Sequence, residues 1–151
     1  AACAGTTAGV STVGDWGQYS GSGLDSTYSS DENVFKGTKF FVYFFPEAHG
    51  VYTVYEYHPA LGTYATNAAL NITHSSGTSQ FDIDQTADGS AWNPLGSFCF
   101  TSGATITIGN EGTTATVVAD GIRLVRTSPA SERVLDCGHF AVSQDNARKF
   151  L

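Results

Sequence analysis

The chain has 151 residues, 41% of them hydrophobic, with seven Lys and Arg against fourteen Asp and Glu for a formal charge of -7. That length supports one core of ordinary size. The sequence offers neither the ~18 consecutive apolar residues of a membrane-spanning helix nor a basic stripe for displacing counterions from nucleic acid. Its charged fraction of 14% is low beside the roughly 25% of a typical soluble domain. Together with abundant Thr, Ser, Gly and Tyr, this points to work outside the cell on neutral or oxygen-rich partners.

In chain order, the sequence opens Ala1-Ala2 and contains no methionine. The expectation is cleavage after a secretory signal, whose processing site favours small residues. Residues 1–14 read as an N-terminal arm, small and β-prone, either an edge strand or a free segment. Residues 15–37, rich in Gly, Ser and Asp, read as a long loop carrying Trp16, Tyr19 and Tyr28. Loops of that length in compact domains are usually functional or held by packing. The run FFVYFF closes a strand over 38–45 that reads as buried on both faces.

A strand over 51–58 alternates, with Val51, Thr53, Tyr55 and Tyr57 on one face and Tyr52, Val54, Glu56 and His58 on the other. Over 67–73, Ala68, Leu70 and Ile72 share one side and Asn71 takes the other. Further strands are expected at 80–84, 97–100, 104–108, 114–119 and 122–126, with Gly and Asn punctuation between them and the Trp-Asn-Pro-Leu-Gly segment at 92–96 leading into the second. About eight strands at this spacing imply an all-β fold, an antiparallel β-sandwich of jelly-roll-like type over 15–126. Residues 127–151 form an irregular C-terminal tail.

Cys3, Cys99 and Cys137 leave an odd thiol. In an oxidising compartment, one bridge and one free cysteine are expected. Cys99, between two phenylalanines, reads as a small buried hydrophobe. Cys3 and Cys137 lie outside the strand-rich body and read as a clasp closing a long loop, worth about 4–5 kcal/mol in the chain-entropy model.

Several segments together resemble the golvesin C-terminal or xanthan-lyase-type module: Gly14-Asp15-Trp16 with Ser20 and Tyr28, GVYTVY at 50–55, NAAL at 67–70, Asp84-Gln85, WNPLG at 92–96 with Phe98, and VADGIR at 118–123. The resemblance covers roughly residues 10–126. It implies a β-sandwich attached to secreted polysaccharide-acting or surface proteins and carbohydrate-binding-like in role. Gly121 departs mildly from the family's pattern, and the tail with Cys137 has no counterpart in it.

Catalytic chemistry finds little to stand on. There is no nucleophile elbow, zinc-protease helix motif, phosphate loop or EF-hand, and His49, His58, His74 and His139 are scattered singly. Asp136, Cys137 and His139 are too close in sequence to make a good nucleophile and base. A zinc site from the three cysteines and His139 lacks a paired knuckle. Asp82 and Asp84, with Glu56 or Asp88, offer fewer oxygens than the six to eight that calcium takes, so no metal or cofactor is expected. Trp16, Gln85, Trp92 and Asp120 read as structural. A buried Asp120 needs hydrogen bonds from loop N–H groups or an indole.

The reading is therefore not an enzyme but an extracellular module binding a polysaccharide or glycan. A sugar binder sets an aromatic plane beside short polar groups, which suits Tyr, and Tyr57, His58 and Tyr64 are the expected carbohydrate-binding cluster. Asn71-Ile72-Thr73 is a glycosylation sequon. The competing reading is a secreted structural subunit that self-assembles into a homo-oligomer, with an arm at 5–13 adding to a neighbour's sheet edge. Nucleic acid and membrane insertion are not expected.

Overall fold

In the computed structural model, residues 2–3 and 9–127 are described. Strands β1 (Ala2–Cys3), β12 (Gly121–Arg126), β6 (Gly50–Tyr57) and β9 (Asn93–Phe100) form sheet A in that order. Sheet B runs β2 (Gly9–Val13), β5 (Phe40–Phe45), β10 (Ala104–Gly109), β7 (Ala68–His74) and β8 (Gly77–Ile83). A third, three-stranded sheet C joins β11 (Val118–Ala119), β4 (Thr27–Ser30) and β3 (Gly17–Ser20). Pairing is antiparallel except for β1 beside β12. The all-β sandwich expected from the periodicity is what the chain forms.

The core lies between sheets A and B. Sheet B contributes Phe41, Tyr43, Phe45, Leu70, Ile72 and Ile106, and sheet A contributes Tyr52, Val54, Phe100, Ile122 and Leu124. Each such side chain stabilises the fold by roughly 1.5–3 kcal/mol when fully buried. The alternation read for 51–58 holds, with Tyr52, Val54 and Glu56 buried and the intervening residues half-exposed. Asn71 faces outward from β7 between buried Leu70 and Ile72.

Four expectations about elements are corrected. The FFVYFF strand is not buried on both faces: Phe41, Tyr43 and Phe45 enter the core while Phe44 is 44% exposed, because sheet B is covered on one side only. Residues 15–37 are not an irregular loop but fold into β3, a 3-10 turn at Leu24–Ser26, and β4. The strand expected at 97–100 starts earlier, at Asn93. Pro94 is accommodated there because β9 is a sheet edge with a register shift opposite Val54 and Tyr55, where a missing N–H costs least. The strand expected at 114–119 shrinks to Val118–Ala119, since the Val117 amide donates to the Asp31 side chain instead of to a ladder.

Of the two readings of the N-terminal arm, the edge strand is the one that residues 9–13 form. Residues 9–13 pair along β5 as an edge strand of the chain's own sheet, register Gly9 to Phe44 through Val13 to Phe40. Their ladder is thus made within the chain, and oligomerisation through these residues finds no support. Residues 4–8 and 128–151 lie outside the described residues.

Cys99 on β9 is half-buried and disulfide-bonded. The expectation of a free, buried Cys99 is corrected, while Cys137 of the expected Cys3–Cys137 clasp lies outside the described residues. The partner sulfur is not among the described side chains.

At the centre of the core, the fully buried Tyr43 donates its hydroxyl to the Asp120 carbonyl at 3.1 Å. Tyr43→Phe removes that donor while keeping the ring, and is expected to cost about 1–2 kcal/mol in urea-unfolding free energy with an unchanged m-value.

Candidate functional site

The β3–β4 hairpin sets Tyr19 directly across from Tyr28, and their rings stack at 5.7 Å with planes 19° apart. The missing side chain of Gly17 leaves room for the Glu32 carboxylate, which a Cβ there would meet. The Tyr19 hydroxyl donates to Glu32, 2.6 Å from Oε1 and 2.9 Å from Oε2. From the 58–67 connection, Tyr64 donates its hydroxyl to that of Tyr28 at 3.3 Å. With Ser30, Leu61 and Thr116, these residues line an open cleft of about 280 Å³.

Both phenol pKa values move up. Hydrogen bonding to Glu32 raises that of Tyr19, and burial followed by the Tyr28 hydrogen bond raises that of Tyr64. The cleft therefore presents the neutral hydroxyls of Tyr19 and Tyr64 at physiological pH, beside aromatic faces and the Glu32 side chain.

A buried polar lock fixes its back wall. Asp31, between the lining residues Ser30 and Glu32, is wholly buried. Its Oδ1 accepts from the amides of Asn33 (2.8 Å) and Val117 (2.9 Å), and its Oδ2 from Lys36 Nζ (2.7 Å) and Asn110 Nδ2 (3.0 Å). Lys39 donates to the Asp31 carbonyl at 2.7 Å, and Asn110 Oδ1 accepts from the amides of Gly37 and Lys39. Burial pushes the Asp31 carboxyl up, but Lys36 and the donated amides outweigh it and hold it below its usual value. Sequence reasoning missed this node. The only local signal was Asp31-Glu32-Asn33, whose Asx-type turn is a common loop device.

The structure does not assemble the expected trio of Tyr57, His58 and Tyr64. His58 is 2% exposed. Its Nδ1 lies 2.8 and 3.0 Å from the two Glu56 oxygens and its Nε2 donates to the Ala87 carbonyl at 2.8 Å, so both nitrogens are committed inside the fold. Burial lowers its pKa, but the Glu56 carboxylate wins and the net shift is upward. Tyr57 belongs to another surface, meeting Trp92 edge-on at 5.3 Å. Tyr64 alone reaches the cleft.

The four residues read as structural divide. Trp16 packs edge-on against Phe41 at 5.4 Å. Gln85 reads both backbone groups of Val118, donating at 2.7 Å and accepting at 2.9 Å. Asp120 Oδ2 accepts the Leu24 amide at 2.6 Å, one of the loop N–H donors that its burial required. Burial lifts its pKa to about 6, against the Leu24 amide and His58 and with Asp25. Trp92 lies outside the core cluster, against Tyr57 and Arg123.

Asp82, Asp84 and Asp88 share a recess of about 300 Å³ with Glu56 and Asn93, yet no group of three or more acidic, His or Cys residues with metal-holding geometry occurs among the described residues. His49 is exposed and His74 contacts Ser79 at 2.9 Å. Asp136, Cys137 and His139 fall outside the described residues.

Residues 3–126 match the golvesin C-terminal domain family. This chain belongs to that family. It is 33% identical over 127 residues to a xanthan lyase of Bacillus sp. strain GL1, an alignment covering 78% of this chain and 14% of the lyase. The structure of a Paenibacillus xanthan lyase superposes with a TM-score of 0.75 at 34% identity, over 80% of this chain and 12% of that one. An exo-β-1,3-galactanase of Phanerochaete chrysosporium shares the fold, with a TM-score of 0.55 at 14% identity, over 81% of this chain and 29% of the galactanase. The golvesin-like domain thus corresponds to a small part of each much longer enzyme.

The Glu56–His58 pair gives a signed pH expectation. A histidine whose pKa rises on folding adds stability that is full below its unfolded value near 6.5 and is lost as pH rises through the higher folded value. Glu56→Ala should cost about 3–5 kcal/mol at pH 6 and flatten that alkaline decline, as measured by urea midpoints across the neutral range.

Proposed function

We propose that this golvesin-like domain is a non-catalytic, extracellular carbohydrate-binding module, and that the Tyr19–Tyr28–Tyr64 cleft takes the sugar. The observation that carries the reading is the cleft itself. Stacked and hydrogen-bonded tyrosines stand beside Glu32, Ser30 and Thr116 in about 280 Å³, a volume on the scale of a small-ligand site. A pyranose presents C–H groups on its faces and hydroxyls around its rim. Tyrosine rings cover the first, while Glu32, Ser30 and the phenols answer the second.

A binding role also fits how the acids and bases are used. Glu32 holds Tyr19, and His58 is spent on Glu56 and Ala87. The longer relatives carry polysaccharide-lyase and galactanase names, which supports a polysaccharide partner for a module of this kind. The bridged Cys99 and the low charge content support an oxidising, extracytoplasmic setting. Asn71, facing outward from the middle of β7 beside Thr73, is the expected glycan acceptor if the chain is made in a eukaryotic secretory route.

Affinity electrophoresis through gels containing neutral and acidic polysaccharides tests the proposal. Retardation by at least one glycan is expected, and Tyr19→Ala should weaken it about ten-fold, or ~1.4 kcal/mol. Because Tyr19 is 42% exposed, its replacement should shift the thermal midpoint little. A wild-type protein retarded by no glycan, or a Tyr19→Ala protein retarded as strongly as wild type, would sink the assignment.

A further inference from the structure

The outer face of sheet A carries a second aromatic group that shares no residue with the tyrosine cleft. Arg123 on β12 stands opposite Tyr55 on β6. Its guanidinium carbon lies 4.7 Å from the centre of the Tyr55 ring and 4.9 Å from that of Trp92. Tyr57, two residues along the same face of β6, meets Trp92 edge-on at 5.3 Å. Further along the face, Thr53 and Ser97 pair across β6 and β9 with their hydroxyls 3.0 Å apart.

The surroundings of Arg123 are unusual for this chain. Acidic residues outnumber basic ones fourteen to seven, yet the ion pairs among the described residues are Lys36–Asp31 and His58–Glu56, and Arg123 joins neither. Its Nε is buried without a hydrogen-bond partner, the single such side-chain nitrogen or oxygen among the described residues. An unsatisfied buried N–H is costly and calls for an explanation. Two flanking rings hold the guanidinium in place, so little side-chain freedom remains to be lost when an anion docks.

We infer that Arg123, with Trp92 and Tyr57, binds the carboxylate of a uronic-acid residue in an acidic polysaccharide. With Nε closed to solvent, the two terminal guanidinium nitrogens are the edge that matches a planar carboxylate with two parallel N–H···O bonds. The adjoining rings of Trp92 and Tyr57 offer apolar surface for the C–H face of the same sugar, and Thr53 with Ser97 offers hydroxyls to its neighbour in the chain. A uronate combines both features, an anion and a ring with an apolar face, within one residue. The inference rests on the carbohydrate reading above and gives it a charge preference.

Calorimetric titration of the full chain with oligosaccharides of galacturonate, glucuronate and mannuronate, each beside its carboxyl-reduced counterpart, provides the test. At least one acidic oligosaccharide should bind about ten-fold tighter than its reduced form, and added salt should erode that difference. Arg123→Gln should abolish the difference, so that acidic and reduced forms bind alike, and Arg123→Lys should restore only part of it because the fork is lost. Equal binding of acidic and reduced forms by the wild type overturns the site, and so does an Arg123→Gln protein that keeps the preference. If Arg123→Gln fails to fold, the wild-type comparison decides. Tyr19-dependent binding of the reduced sugars with no acidic preference removes this site alone, whereas no binding of any sugar removes the cleft as well.

Discussion

The buried carboxylate of Asp31 is the constraint on which the candidate cleft depends. An isolated charge in that position would be several kcal/mol unfavourable, yet this one accepts two amides, a lysine ammonium and an asparagine amide. Those donors come from the 31–39 segment and from the 110–117 segment, so one side chain fastens together two stretches that carry no long ladder of their own. Sheet C rests on that fastening. Its strands are short, and β11 has two residues. Without the lock, Ser30 and Glu32 would lose the wall against which Tyr19 and Tyr28 are aligned.

The two aromatic surfaces differ in charge and in hydrogen-bonding character. In the cleft, the tyrosines hydrogen-bond to each other and to Glu32, which suits neutral hydroxyl-rich ligands and repels anions. On the outer face of sheet A, the rings flank a guanidinium without a carboxylate partner among the described residues, which favours anions. A chain of net charge -7 repels acidic polymers at long range, so a local cation held between rings is the kind of feature that short-range recognition of such a polymer requires. On the proposed reading, one module would grip a heteropolysaccharide at a neutral and an acidic residue.

Much of the fold was legible because sandwich strands write their burial into every second residue. The separation of Val54 and Glu56 from Tyr55 and Tyr57, and of Asn71 from Leu70 and Ile72, followed from parity, and the structure decides that Val54 and Glu56 face inward. The misreadings occurred where side chains replaced ladders. Val117 spends its amide on Asp31, so the 114–119 run never becomes a full strand, and Pro94 enters a strand because that strand is an edge. Residues 15–37 were misread because Gly, Ser and Asp dominate them, although a cross-strand Tyr19–Tyr28 pair is enough to order a short hairpin that packs on a larger body.

Residue types and their spacing carry the class, the family and the available chemistry: an acidic, tyrosine-rich β-sandwich of the golvesin C-terminal type with few groups for catalysis. Which tyrosines meet is settled on folding. Tyr57 and Tyr64 are seven positions apart, and a reading along the chain groups them with His58. The fold instead turns His58 inward to Glu56, gives Tyr57 to Trp92, and brings Tyr64 to Tyr28 across 36 residues. Strand parity is a local property that one sequence reports, whereas contact between sheets depends on pairings that are far apart in the chain and leave no periodic trace.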